Sequence, residues 1–359
     1  MGRLPNLNIL RFFLAMIVML GHIGATSKNL GLPHFPDAPI RLKTNLAVYF
    51  FFTLSGFLII RQLYLESLKG RLNIKYFYIR RMLRILPLYF IILFAGVSIY
   101  FVLLPLMGIQ TGFENDLAEL LKYFLLFLPN VYISVHPQDV GGILFILWSI
   151  GIELQFYLFI PLVVMAFPKH IIRSLLVLIL LHIVSSALYP AIAGHYFNYY
   201  YFLTGGIVSI LSIKVKLRFM GRIEIKILLI LLFLVLFFTK FPVIRNDIVY
   251  YLVSAAIAAL FICSISDYPI GVLKSKSLNY LGEISYGLYM YHMISITAIL
   301  FLFSRLQLAD KINNNFISAI IINLGVIAST IVIAHFSYQH IELFFIKKKS
   351  MFTSRTDKH

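Results

Sequence analysis

One cysteine, Cys263, sits within an apolar stretch, so the chain cannot close a disulfide on itself or build a thiolate metal cluster. Charge is also scarce: Asp, Glu, Lys and Arg make up 13% of the 359 residues, while hydrophobic residues make up 60%. A soluble domain carries about 25% charged residues, because its surface must face water. Acids are the scarcest of all, with 14 Asp+Glu against 31 Lys+Arg and a formal charge of +17. That excess does not suit nucleic acid. The basic residues lie in short runs between long apolar segments, with no basic face interleaved with base-stacking aromatics. They fit the positive-inside bias of a polytopic membrane protein whose main partner is the lipid bilayer.

Several fingerprints are missing as well. HExxH, G-x-S-x-G, the Walker loop and G-x-G-x-x-G are all absent, which sets aside metalloprotease, serine hydrolase and ATP-driven pump, and no metal site is expected. No internal repeat, low-complexity segment or linker to a second soluble domain interrupts the chain. The apolar run from Phe12 lacks an A-x-A-like cleavage site and reads as a retained span. Position six is Asn6, where a myristoylation signal requires Ser or Thr.

What is present is a series of apolar runs near 8–26, 45–65, 84–107, 141–167, 171–190, 197–213, 226–240, 248–266, 284–304 and 316–337. Each approaches the roughly 20 residues of a membrane-crossing helix. The expectation is an all-α polytopic bundle of about ten transmembrane helices with both termini in the cytoplasm. This arrangement leaves only Lys28, Arg41, Lys43, Lys122, Lys240, Arg245, Arg305 and Lys311 outside. Counting 120–135 as an eleventh span would carry the Lys214–Lys226 cluster and Lys347-Lys348-Lys349 outside, against the bias. That stretch, cut by Pro129-Asn130, is expected to dip into the membrane or lie on it. Residues 1–346 read as one transmembrane domain and 347–359 as a basic cytoplasmic tail.

An ionisable side chain at mid-membrane costs roughly 2.5–3.5 kcal/mol and needs a partner, a wet cavity or a function. Arg11 and His22 are three helical turns apart on one face of the first span, about 16 Å along its axis. The bland alternatives are a snorkelling arginine and a buried histidine bonded to a carbonyl. In the fourth span Ser149, Glu153 and Tyr157 follow at i, i+4 and i+8, with Glu153 about 18 Å deep. A packing contact with another span is the structural alternative for Glu153. Arg80, Arg81 and Arg84 precede the third span; they serve either as topogenic charge or as a phosphate site, for which guanidinium offers permanent bidentate donors. Ser285, Tyr289 and His292 share a face of the ninth span. An interfacial aromatic belt accounts for the tyrosine but not for His292.

Taken in order, five segments resemble the membrane acyltransferase 3 family, which includes bacterial O-antigen and exopolysaccharide O-acetyltransferases. Arg11 to His22 is similar to its Arg-x10-His signature. Phe51-Phe52-Thr53-Leu54-Ser55-Gly56-Phe57-Leu58-Ile59 is similar to its second span, and Phe77 to Pro87 to its arginine-rich inner loop. Trp148 to Tyr157 resembles its WSxxxExQFY segment, and Ile284 to His292 its ISYxxYxxH segment. The resemblance implies His22 as the catalytic residue, with Glu153 lining the reaction chamber. Arg11, Arg80, Arg81 and Arg84 would serve the acyl-CoA side, and Ser55, Trp148, Ser149, Tyr157, Tyr289 and His292 would support them. It further implies acetyl-CoA as co-substrate with no bound cofactor, a polysaccharide or lipid-linked glycan hydroxyl as acceptor, and a bacterial cytoplasmic (inner) membrane location. An imidazole kept in a low-dielectric site is available as base or nucleophile near pH 7. The chain departs from the pattern at Leu154 and Tyr49, where many members carry an acid, and it lacks an appended extracytoplasmic hydrolase-like domain. The competing reading is a glycan or acyl-group transporter or flippase, with Arg11, His22 and Glu153 along its path.

Overall fold

A computed structural model describes residues 6–36, 39, 43–109, 116–136, 140–188, 197–239, 247–269 and 275–352. Arg3, Arg41, Lys240, Arg245, Lys274, Arg355 and Lys358, all part of the charge pattern, lie outside the described residues, as does the end of the basic tail.

Ten long helices account for most of the chain: α1 (Leu7–Asn29), α2 (Thr44–Leu68), α3 (Ile74–Ser98), α4 (Leu147–Ala166), α5 (Ile171–Leu188), α6 (Tyr200–Val215), α7 (Ile223–Phe238), α8 (Asp247–Asp267), α9 (Ser285–Arg305) and α10 (Asn315–Ser337). No strand occurs among the described residues. A helix satisfies every backbone donor and acceptor within its own segment, which is what a chain without water around it requires. Among the described residues, eight helices are long and apolar enough to cross a membrane. The exceptions are α6 and α7, at 16 residues each, which fall short of about 20.

The tightest seam lies between α2 and α6. A Cβ added at Gly56 would run into the Phe202 carbonyl, and one added at Gly205 into that of Thr53, so the two backbones touch. Close backbone approach through small residues is how apolar helices gain packing energy when lipid removes the hydrophobic drive. Phe52 stacks on Phe202 at 4.6 Å beside this seam. Further along α2, Arg61 donates to Asp267 of α8 (3.0 Å) and to Ser212 of α6 (3.1 Å), fastening three helices at one end. Gly56→Ile is therefore expected to destabilise the fold by about 1–3 kcal/mol, since no flexible side chain is there to move aside. Thermal unfolding in detergent checks it, and an unchanged midpoint would mean the seam is looser than it looks.

The stretch at 120–135 forms two short helices, Leu117–Leu125 and Pro129–Val135. Between them Phe127 takes a left-handed conformation, φ 60°. Gln155, near the middle of α4, donates to the Phe127 carbonyl (3.0 Å) and to Asn130 Oδ1 (2.7 Å), while Tyr89 of α3 donates to the Phe124 carbonyl (2.7 Å). Neither helix is long enough to cross, and the turn reaches the depth of mid-α4. The two helices form a hairpin against α3 and α4, whose side chains satisfy the carbonyls its turn leaves open.

After α10 the chain widens into a π-helical turn, Tyr338–Glu342, and continues through Leu343–Lys348 and a 3-10 turn, Lys349–Phe352. No break occurs at 346, where the tail was expected to start. The turn lies against the first turns of α3: Tyr76 meets the Phe352 ring edge-on at 5.9 Å, and Arg80 donates to the Phe352 carbonyl (2.9 Å).

Candidate active site

Two cavities meet inside the bundle. The inner one, of about 110 Å³, is walled by apolar side chains of α2, including Phe51, Phe52 and Leu58, and by Ile85 and Ile150. Its polar groups are Arg11, Ser55, Arg81, Arg84, Ser149, Glu153, Tyr157, Ser285, Tyr286 and Tyr289. The outer one, a vestibule of about 390 Å³, opens at the end of the bundle that carries the basic loop. Its lining includes Asn8, Gln62, Glu283, Glu342 and Lys349. Arg11, Arg81 and Arg84 line both, so three guanidinium groups ring the junction.

Each arginine is held differently. Arg11 donates to Asn8 Oδ1, one turn earlier in α1 (2.8 Å). Arg81 donates to Gln62 (3.1 Å) and lies 5.5 Å and 5.6 Å from the ring centres of Phe77 and Tyr157, while its Nε is buried with no hydrogen-bond partner. Arg84 is exposed to the cavities, and no hydrogen bond engages it among the described residues. Arg80 points elsewhere. Its guanidinium is committed to the Phe352 carbonyl and to Glu66 (3.4 Å), and it lines neither cavity.

Glu153 is the one carboxylate on the wall of the inner cavity among the described residues. It accepts from Ser55 of α2 (2.6 Å) and from Tyr157, one turn on in α4. Ser149 and Tyr289 share a hydrogen bond of 2.7 Å across α4 and α9, close to the Ile146 carbonyl. Trp148 is buried edge-on to Phe52 and serves the core behind this wall.

His22 and His292 adjoin Tyr289 but line neither cavity, and Glu153 makes no hydrogen bond to either. Nδ1 of His22 and Nε2 of His292 are 2.8 Å apart, with ring centres at 5.1 Å and ring planes within 5°. Those values are compatible only with rings meeting edge to edge in a common plane, an in-line hydrogen bond rather than a stack. The other nitrogen of His292, Nδ1, bonds the Tyr289 carbonyl. A carbonyl only accepts, so Nδ1 of His292 carries hydrogen and Nε2 of the neutral ring carries the lone pair. Nδ1 of His22 must then donate. What remains on a neutral His22 is an unprotonated Nε2, with no partner among the described residues. His292 is 1% exposed, whereas His22 is half-buried.

Eight of the twelve residues singled out in the sequence thus gather at one cavity, two form the histidine pair behind it, and Trp148 and Arg80 lie apart. Sequence reasoning missed Tyr286, which lines both cavities and donates to the Ile85 carbonyl (2.9 Å). It also missed Asn8, Gln62, Glu342 and Lys349. Glu342 was legible in principle, as an acid closing an otherwise apolar span. No group of three or more His, Cys, Asp or Glu able to hold a metal occurs among the described residues.

Comparison with known proteins adds one result. An acyltransferase 3 family model, described as an acyltransferase domain, matches residues 4–335. No curated protein and no solved structure matches significantly.

Proposed function

Because the chain belongs to the acyltransferase 3 family, we propose that this membrane acyltransferase is an O-acetyltransferase that moves acetyl from acetyl-CoA to a hydroxyl of a cell-surface polysaccharide or lipid-linked glycan. The observation that carries the reading is the junction of two cavities ringed by Arg11, Arg81 and Arg84. Guanidinium groups at the mouth of an apolar passage suit a donor with phosphates at one end and a long neutral arm at the other. The basic end of the bundle faces the cytoplasm of a bacterial inner membrane, following the positive-inside bias. The phosphates stay in the vestibule, the arm threads the inner cavity, and the thioester passes Tyr289 to reach the histidines.

In the transfer step Nε2 of His22 takes the proton of the acceptor hydroxyl as its oxygen attacks the thioester carbonyl. The C–O bond forms and the C–S bond breaks. The CoA sulfur leaves with the electron pair of that bond and recovers the proton from His22. His292 is a positioning residue, fixing the tautomer that leaves Nε2 free.

The test is acetyl-CoA turnover by protein reconstituted in vesicles, together with mass spectrometry of surface glycans from cells with and without the gene. A difference of one acetyl group supports the reading. Glycan movement without acetyl transfer would favour the transporter.

For the arginines, Arg84→Ala is expected to weaken CoA binding by about 1.5–3 kcal/mol, the worth of a charge-assisted hydrogen bond, at an unchanged melting temperature. Arg81→Ala should weaken binding similarly and also cost stability, because Arg81 holds Gln62 and packs between two rings. Equal CoA affinity in Arg84→Ala and wild type would reduce that residue to a topogenic charge.

A further inference from the structure

Residues 347–352, the described part of the basic tail, pack against α3. Leu343–Lys348 and Lys349–Phe352 fold back against α3, pinned by the Arg80 hydrogen bond to the Phe352 carbonyl and by the contact between the rings of Tyr76 and Phe352. Three lysines follow one another here, and they part ways. Lys348 lies 4.2 Å above the Phe344 ring. Lys349, at the start of the 3-10 turn, is half-buried and lines the vestibule with Arg81 and Arg84. No carboxylate lies within ion-pair distance of it among the described residues.

We propose that Lys349 completes the donor site, its ammonium binding a phosphate of the nucleotide portion of acyl-CoA alongside the α3 arginines. The proposal rests on the donor reading above and adds to it a residue beyond 335, where the family match ends. A lysine half-buried among arginines is held there at a cost unless something anionic joins them. Burial first, and then Arg81, Arg84 and Arg80, push its ammonium down to about 7. The cations of the vestibule outnumber its acids, Glu283 and Glu342, and the buried Nε of Arg81 has no acceptor. A phosphate in the vestibule offers acceptors to the arginines and to Lys349 at once, which neither an apolar nor a cationic occupant would do. Lysine suits the task as a mobile point charge facing planar guanidinium groups.

The experiment measures binding of coenzyme A, adenosine 3′,5′-bisphosphate and pantetheine to the full-length protein in lipid nanodiscs. For Lys349→Ala, affinity for coenzyme A and for the bisphosphate is expected to fall about tenfold, with pantetheine unaffected. Lys349→Arg should keep most of the affinity, and Lys349→Gln, which preserves length and polarity, should behave like the alanine variant. If Lys349→Ala and Lys349→Gln bind coenzyme A like wild type, the lysine has no part in the site, and the donor reading stands without it. If wild type binds coenzyme A no better than pantetheine, the donor reading itself fails. A variant whose loss of coenzyme A binding is matched by an equal loss for pantetheine would show a collapsed vestibule and overturn the specific role.

Discussion

Replacing His22 with alanine is expected to lower acetyl transfer by about a thousandfold, within the range that a positioned base supplies, while insertion and yield stay near normal. His22 is half-buried, and its partner His292 keeps its own bond to the Tyr289 carbonyl when the ring is removed. What the substitution removes is the single unprotonated nitrogen that the Tyr289–His292–His22 chain leaves over. His292→Leu should reproduce part of the loss, since Nδ1 of His22 would no longer be committed as a donor and the free tautomer would no longer be fixed. His292→Gln, whose amide can donate to the carbonyl and accept from His22, should recover some of it. Glycan acetylation measured on all three variants decides the matter. Near-wild-type transfer in His22→Ala would remove the histidine from the mechanism.

The second large effect belongs to Glu153. Glu153→Gln is expected to cut transfer by about a hundredfold and to leave the melting temperature unchanged. The amide oxygen can still accept from Ser55 and Tyr157, the two groups that hold the carboxylate in place, so the link between α2 and α4 survives. The negative charge does not survive, and with it goes the one carboxylate, among the described residues, that faces the arginine ring from within the inner cavity. A protein that melts several degrees lower but retains its specific activity would instead make Glu153 a packing residue.

The contrast between these two sites shows what a sequence can and cannot disclose. Helical periodicity put Ser149, Glu153 and Tyr157 on one face, and they do share the cavity wall with Tyr289. Helix geometry also aligned Arg11 with His22, yet the two serve different places, because α1 passes the inner cavity at its lower end and meets α9 further up. Spacing along one helix cannot say which neighbour each turn will meet. Arg80, Arg81 and Arg84 looked alike in the sequence. The structure separates them through a tertiary contact, since Arg80 is engaged by a carbonyl 272 residues away. The apolar run at 197–213 located α6 to within three residues at each end, but at 16 residues the helix is too short to count as the full span expected there. Ser55 was legible only through a resemblance; its bond to Glu153 spans 98 residues and leaves no periodic trace.

The histidine pair also sets a timetable. His22 waits for His292 across 270 residues of chain, so at ribosomal speed the pair closes on the order of half a minute after α1 emerges. Until α9 is inserted, the imidazole of α1 has no partner and its tautomer is undetermined. On the proposed mechanism, a chain still under synthesis carries the arginines of its first three helices but gains its base only when the penultimate long helix arrives. A nascent chain arrested before α9 should bind coenzyme A weakly and transfer nothing, whatever the state of its earlier spans.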